Sequence, residues 1–543
     1  MLQLIPLSSL EKVFSDEAPR GEPFTGCTFL RGEELSFQVA FCSDTDAEIL
    51  PDVWAGGGAR CACDWVEEIP SALPCYPDSD EFFLRKAPGM YPDLLRPVME
   101  PLRVKAGEWH SLWITLQSDA PTSVIVSLND QLVTLRFTLI PHDLPEQTLL
   151  CTNWFHCDCL AQAYDAEPFG EAHWAIVENY VRCAVAHGIN FLLTPLFTPP
   201  LDTEVGGERL TTQLVEVRKE GSTYQFDFTQ LARWFEMCGR CGVKAFELSH
   251  LFTQWGAKHA PKIVDSDGKR IFGWKTNADG RKYTAFLEQL ATALVPFLER
   301  QGVKDRCYLH VSDEPGMRDI DCYARHAALI KKIFPGMKII DALSNIEFYE
   351  QGLLERPIPA NNHIAPFIGR VPELWTYYCC GQHRDGVSNR FFAMPGWRTR
   401  VLGFQLWKFK CAGFLQWGFN FWNSRHSIEK NINPFAMTDG GMAWPSGDPF
   451  VVYPGDSPHD ACGLRGGPRY GRPLLSLRLK LFHEALQDLR ALQLLESKIG
   501  YDAALSVLEQ GLAEPITFSQ YPRSAAWLLE TRERINNTLA KST

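Results

Sequence analysis

Two carboxyl groups side by side at the end of a short apolar run are where this chain most clearly offers chemistry. The stretch Tyr308-Leu309-His310-Val311-Ser312-Asp313-Glu314-Pro315-Gly316 has β-type residues at Tyr308, Leu309 and Val311, then two adjacent acids, then a Pro-Gly break. Pro315 donates no ladder hydrogen bond and biases Glu314 toward an extended backbone, so the strand is expected to end where the acids begin. Neighbouring carboxylates repel, and partial burial adds to the cost, so one of them holds its proton more tightly than a solvated acid. That is what a general acid needs. The competing reading makes Asp313 a helix cap and Glu314 a solvated side chain. The surrounding succession of elements decides between them.

After Pro141-His142-Asp143-Leu144-Pro145, which reads as a linker, the pattern alternates strand and helix, as in a parallel sheet with covering helices. Strands are predicted at 149–155, 190–196, 245–252, 307–313, 338–344, 363–368, 375–380 and 414–420, with helices at 171–187, 229–241, 283–301, 319–334 and 396–411. Only Gly369 to Leu374 separates the sixth and seventh, too little for a full crossover helix. The alternation predicts a (β/α)8 TIM barrel over 146–500, in which catalytic groups come from the C-terminal strand ends. Asp313 and Glu314 lie at such an end. So do Asn153, Trp154 and His156, then Thr194, His250, Trp255 and Asn345, then Trp375, Tyr377 and Tyr378, then Gln416, Trp417, Asn420 and Trp422. Alternate residues of a barrel strand face the helices, so any single one could be core. As a ring of aromatics and amides around two acids, the set is much harder to dismiss than any one of its members.

Residues 1–145 alternate short β-rich runs with turn residues, which predicts an N-terminal β-sandwich with strands at 34–41, 49–54, 110–117, 123–128 and 132–140. Pro51 makes the second an edge strand at best, and Gly56-Gly57-Gly58 and the Pro-rich stretch from Pro70 to Pro97 read as long loops. Residues 423–472, rich in Gly and Pro and without periodicity, predict a loop over the barrel mouth in which Asp448 and Tyr453 either enter the pocket or tie the loop down. Leu477, Leu481, Ala485, Leu489, Leu492 and Leu495 mark an amphipathic helix over 474–498, followed by a helical extension over 501–543 with helices at 501–510 and 524–539. These could support a homo-oligomer.

At 543 residues the chain suits two or three domains, and its net charge of -12 argues against nucleic acid or an anionic membrane as partner. Sixteen Trp suit stacking on sugar rings, and equally the packing of a large core. The 17 Cys follow no repeated metal-ligand spacing, and Cys61-Ala62-Cys63, Cys157-Asp158-Cys159 and Cys379-Cys380 are too close for an ordinary zinc pair. They read as reduced core thiols. With no secretion signal at Met1 to Pro6 and no apolar stretch of spanning length, a cytoplasmic protein without metal or organic cofactor is expected.

The runs His310-Val311-Ser312-Asp313-Glu314-Pro315, Gly413-Phe414-Leu415-Gln416-Trp417-Gly418-Phe419-Asn420-Phe421-Trp422 and Gly447-Asp448-Pro449-Phe450-Val451-Val452-Tyr453-Pro454-Gly455 resemble, in this order, the barrel and C-terminal signature of glycoside hydrolase family 123. Its characterised members are β-N-acetylgalactosaminidases that work by substrate assistance. The resemblance implies the same adjacent catalytic Asp and Glu here, Asp313 and Glu314, and the strand-end reading adds His310, Asn153, His250, Trp375, Tyr377, Gln416, Trp417, Asn420 and Trp422 as candidates to hold an oligosaccharide or glycoconjugate. The chemistry suits the pair on its own terms. Conventional retaining enzymes need two carboxyls ~5 Å apart flanking the scissile bond, whereas adjacent residues at one strand end sit on one side of the sugar. Asp341, Glu247 and Glu347 are the acids that could serve as a separate nucleophile.

Overall fold

The computed structural model describes residues 1–201, 207–253, 255–463 and 471–542 and shows a mixed α/β fold. Its N-terminal part is two packed sheets. The larger runs Leu2–Ser8, Glu34–Ser43, Trp109–Gln117, Arg60–Ser71, Gly89–Pro97, Arg472–Ser476 and Val452–Gly455, and the smaller runs Gly26–Arg31, Gln131–Asp143, Thr122–Leu128 and Pro51–Ala55. Alternate residues face inward, as the two-residue strand period requires: Phe37, Val39 and Phe41 with Leu112, Ile114 and Leu116 pack on Val124, Val126 and Leu128. Pro51 does lie on an edge strand.

Part of the stretch expected to be a loop, Gly89–Pro97, is instead a strand paired with Arg60–Ser71. Its Pro92 sits where the register shifts between Glu67 and Glu68, the kind of irregularity that tolerates proline. The large sheet also takes two strands from beyond residue 450. Tyr453 donates to Asp93 at 2.5 Å and Arg478 holds the same carboxylate through two bonds of 2.7 and 2.8 Å, all of it buried, so Tyr453 ties elements together. Of the loop expected over 423–472, residues 464–470 lie outside the described residues.

Eight short parallel strands follow: Leu150–Asn153, Phe191–Thr194, Ala245–Leu248, Cys307–Leu309, Lys338–Ala342, Arg356–Ile358, Trp375–Tyr377 and Gly413–Gln416. The second to sixth pair in sequence order, and the eighth lies between the first and seventh. At one seam Asn190 N donates to Cys151 O at 3.1 Å; at the other Ala360 bridges Tyr377 in parallel. Helices Glu171–Ala186, Thr229–Cys241, Arg281–Arg300 and Ile320–Ile333, and the pair Gly396–Arg400 and Leu402–Lys408, fall where the 3.6-residue periodicity places them.

The sixth strand differs from its expected place. It is Arg356–Ile358, masked in the sequence by Pro357 and Pro359, while the apolar residues at 364–367 belong to a turn and a 3-10 helix. The crossover to the seventh strand is therefore of ordinary length. The fourth strand ends at Leu309, before the acids, because the buried Asp341 carboxylate takes over as acceptor for Val311 N at 3.0 Å and Ser312 N at 3.2 Å.

Ser476 Oγ accepts from Leu479 N at 3.2 Å and caps the long helix Leu477–Ile499, which stops at Gly500 with φ of 82°. Helices Tyr501–Leu508 and Ala525–Leu539 complete the chain. Among the described residues no helix is long and apolar enough to cross a membrane, and all 17 Cys are unpaired.

Candidate active site

Asp313 and Glu314 line one cavity of about 150 Å3, with Trp154, Trp255, Tyr377, Cys379, Trp417 and Trp444 among its walls. In an extended strand neighbouring side chains point to opposite faces, so two adjacent acids would not share a pocket. The backbone solves this at Glu314, whose φ of 46° is left-handed instead of the extended form expected before Pro315. That conformation costs a non-glycine residue ~1–2 kcal/mol. It is held from both sides: Glu314 N donates to Ala342 O at 2.9 Å and Trp255 N to Asp313 O at 2.8 Å. The end of the fifth strand and the loop that follows the third thus fix the turn.

The two acids sit in different surroundings. Asp313 is buried at 9% exposure, and no hydrogen bond engages its carboxyl among the described residues, whereas Glu314 is exposed at the mouth. Burial, and next the Glu314 charge, push the Asp313 carboxyl well above the usual range, with His310 pulling the other way. Tyr377 Oη donates to Glu314 Oε1 at 2.7 Å, which orients that carboxyl and leaves Oε2 for proton transfer.

Beneath the pair lies a wholly buried ion network. His310 Nε2 meets Glu247 Oε1 at 2.6 Å and its Nδ1 meets Asp341 Oδ1 at 3.1 Å. Burial works against a charged imidazole, but the two carboxylates outweigh it and raise His310 to about 10, so the ring is an imidazolium at neutral pH. Glu247 also accepts from Thr152 Oγ1 at 2.8 Å and Trp154 Nε1 at 2.7 Å, and Asp341 from Tyr323 Oη at 2.5 Å. His250 stacks on His310 with centroids 4.0 Å apart, and burial together with the His310 charge keeps it neutral.

His250, His310 and Asp341 bring potential ligand atoms within 4.8 Å of one another. As a cation site the set fits poorly. Both His310 nitrogens are engaged, both Asp341 oxygens already accept hydrogen bonds, and the imidazolium supplies the positive charge a metal would bring.

Residues 154–495 match the glycoside hydrolase 123 catalytic-domain family. The chain belongs to glycoside hydrolase family 123. A family 123 glycoside hydrolase from Clostridium perfringens, described for glycolipid glycan hydrolysis, shares the fold with a TM-score of 0.75 at 15% identity, over 100% of this chain and 98% of that one. A family 2 β-galacturonidase from Eisenbergiella tayi (TM-score 0.30, 11% identity, 90% and 97% covered) and a family 5 mannosidase from Rhizomucor miehei (0.32, 11%, 66% and 95%) are far less similar. No curated protein matches the sequence.

Within this family 123 chain, Tyr377 and Trp417 of the candidate sugar-holding residues line the cavity with the two acids, as do the strand-end residues Trp154 and Trp255. The others are buried behind its wall. Asn153 Oδ1 and Gln416 Oε1 accept from Arg390, Asn420 exchanges hydrogen bonds with the His156 backbone at 2.9 and 3.0 Å, and His250 and His310 stack below. Trp375 packs on Phe191, and Trp422 packs on Tyr180 and donates to Val452 O at 3.3 Å. Asp448 is buried and accepts from Trp417 Nε1 at 2.9 Å, orienting that indole; burial raises its carboxyl to about 7.

Sequence reasoning missed Trp444, which packs 4.9 Å from Trp417. It also missed Arg390, whose guanidinium gathers Asn153, Gln416 and the carbonyls of Gly418 and Asp448 at the end of the eighth strand. Both come from irregular segments that carry no periodic signal.

Proposed function

We propose that the chain releases a terminal β-linked N-acetylhexosamine, GalNAc foremost, from an oligosaccharide or glycoconjugate by retaining, substrate-assisted hydrolysis. The observation that carries this reading is the distribution of acids. Among the described residues Asp313 and Glu314 are the only carboxyls on the pocket wall, and Glu247 and Asp341, the nearest alternatives, are buried with their oxygens bonded. A two-carboxylate mechanism needs a nucleophile across the sugar. The substrate's own 2-acetamido oxygen fills that role here.

In the first step that oxygen bonds to the anomeric carbon as the glycosidic bond breaks, and Glu314 gives its proton to the leaving oxygen. With the proton on Glu314, the Glu314 charge that helps raise Asp313 is gone, and Asp313, on the buried side, accepts the amide N–H as a carboxylate and stabilises the positive charge developing on the oxazolinium ring. Glu314 then takes a proton from water, whose oxygen attacks the anomeric carbon and reopens the acetamido group with the β configuration kept. Tyr377 holds Glu314 throughout, and Trp417, Trp444 and Trp255 offer faces to the sugar.

On this reading the eight parallel strands form a closed (β/α)8 barrel with the acids at its C-terminal mouth, the sandwich of residues 1–145 positions it, and residues 501–543 cover one side. The 17 unpaired thiols suit a reducing, cytoplasmic setting. The test is a panel of aryl β-glycosides of GalNAc, GlcNAc, Gal and Glc. The 2-acetamido sugars should react at least a hundredfold faster than their 2-hydroxyl partners, with GalNAc fastest. Equal rates would overturn substrate assistance, and no turnover of any member would overturn the hydrolase reading.

A further inference from the structure

Two thiols stand on the wall of the acid-bearing pocket, and the hydrolysis derived above uses neither. Cys379 and Cys380 follow the seventh strand, Trp375–Tyr377, and both line the cavity of about 150 Å3 with Asp313, Glu314 and Trp417. Each is half-buried, so a small molecule that enters the pocket reaches them. The hydrogen bond between Cys379 and Cys380, and then burial, push the Cys379 thiol well above its ordinary value, and the nearby Glu314 charge acts the same way. Cys380 also meets Tyr76, whose Oη donates to Ala443 O at 3.0 Å and keeps its oxygen open to the Cys380 S–H. Because the thiolate is the reactive form, Cys380 is the sulfur to attack first and Cys379 the one to follow.

The pair is wired to the catalytic parts on both sides. Two residues upstream, Tyr377 Oη holds Glu314 at 2.7 Å, and the Cys380 N–H bonds the Asp448 carboxyl that orients Trp417. The segment itself is pinned. Gln382 Oε1 accepts from Cys379 N at 2.9 Å, while Cys379 O accepts from Gln382 N at 3.2 Å and from Asn389 Nδ2 at 2.8 Å. Consecutive Cα atoms stand about 3.8 Å apart, below the ~4.4–6.8 Å usual for a disulfide, so a bridge between neighbours is strained, and strained bridges are the labile ones that thiols reopen. With the backbone held, that strain passes to the adjoining residues, which include the Glu314 and Trp417 supports.

We propose that Cys379 and Cys380 are a modification site for small hydroperoxides, which close them into a disulfide and stop turnover reversibly. Cys380 sulfur bonds to a peroxide oxygen as the O–O bond breaks, giving a sulfenic acid and an alcohol, or water from hydrogen peroxide; Cys379 sulfur then bonds to Cys380 and releases water. Two thiols lose two electrons and two protons, and the peroxide takes both. The effect on turnover rests on the glycosidase reading above. Hydrogen peroxide is the probe, with turnover of an aryl N-acetylhexosaminide and the mass of the peptide carrying both residues read together. The unmodified protein should lose at least tenfold in kcat/KM, its peptide should lose two hydrogens, and dithiothreitol should restore both. Cys380→Ser, read against its own untreated sample so that a folding cost does not enter, should lose less than twofold. In Cys379→Ser the sulfenic acid at Cys380 has no neighbour to resolve it and should be trapped by dimedone. A pair still reduced after a dose that oxidises the exposed Cys462, equal inactivation of Cys380→Ser, or a bridged pair with undiminished turnover would overturn the proposal. Inactivity of the untreated protein on every aryl glycoside would instead overturn the underlying function, and the peptide mass alone would then decide whether the bridge forms.

Discussion

Replacing His310 by Gln should expose how far the site depends on a buried cation. The imidazolium stands between Glu247 and Asp341, with His250 stacked on it, Asp313 above and Tyr323 on Asp341. Removing it leaves two carboxylates buried in an unbalanced pocket, a loss of about 3–5 kcal/mol. Linkage gives a similar figure. Raising an imidazole from ~6.5 when unfolded to about 10 when folded corresponds to on the order of 5 kcal/mol, an upper bound because burial also raises Asp341. The folded value is the higher one, so this contribution is complete below pH ~6.5 and disappears as pH climbs through about 10. The urea midpoint of H310Q should therefore fall well below that of the unmodified protein at pH 6.5, and the gap should close toward pH 10. Trp154, which donates to Glu247, provides a fluorescence signal near the network. Spectra of 15N-histidine should also keep one ring doubly protonated at pH 8. A gap that does not change with pH, or a His310 that titrates near neutrality, would refute the reasoning.

Other outcomes follow from the same geometry. Glu314→Gln should depress turnover of alkyl glycosides by ~100-fold or more, while aryl glycosides with good leaving groups lose far less, because only the former need the proton. Replacing Trp444 or Trp417 by Ala should raise KM roughly tenfold, equivalent to ~1.4 kcal/mol, with a smaller change in kcat; an unchanged KM would mean the indoles only pack on each other. Dialysis against a chelator should leave activity intact, since the donor atoms of His310 and Asp341 are already engaged by protein partners; recovery of lost activity by zinc would contradict that.

The candidate acids were legible because their adjacency and the Pro-Gly break are local facts of sequence, and Tyr377 and Trp417 because strand ends are. Which way a strand-end side chain faces is not local, and so Gln416, Asn420 and Trp422 read as pocket residues although all three are fully buried. The ion network was hidden for a related reason. Glu247 and Asp341 lie 63 and 31 residues from the histidine they bracket, so as isolated letters they looked like possible nucleophiles. Proline concealed two strands, Gly89–Pro97 and Arg356–Ile358, each of which accepts it at a bulge or beside a seam. The left-handed turn at Glu314 contradicted the ordinary preference of a residue before proline, and it is what brings both acids into one cavity.

The central claim is that Asp313 holds the acetamido group while the substrate supplies the nucleophile. Titration calorimetry of a thiazoline fused to the N-acetylhexosamine ring, a stable analogue of the oxazolinium intermediate, addresses it most directly. The account predicts that the unmodified protein binds the thiazoline at least ~100-fold more tightly than the free sugar, and that Asp313→Asn loses most of this advantage. Thiazoline binding no tighter than the sugar's, or undiminished by the substitution, would contradict it.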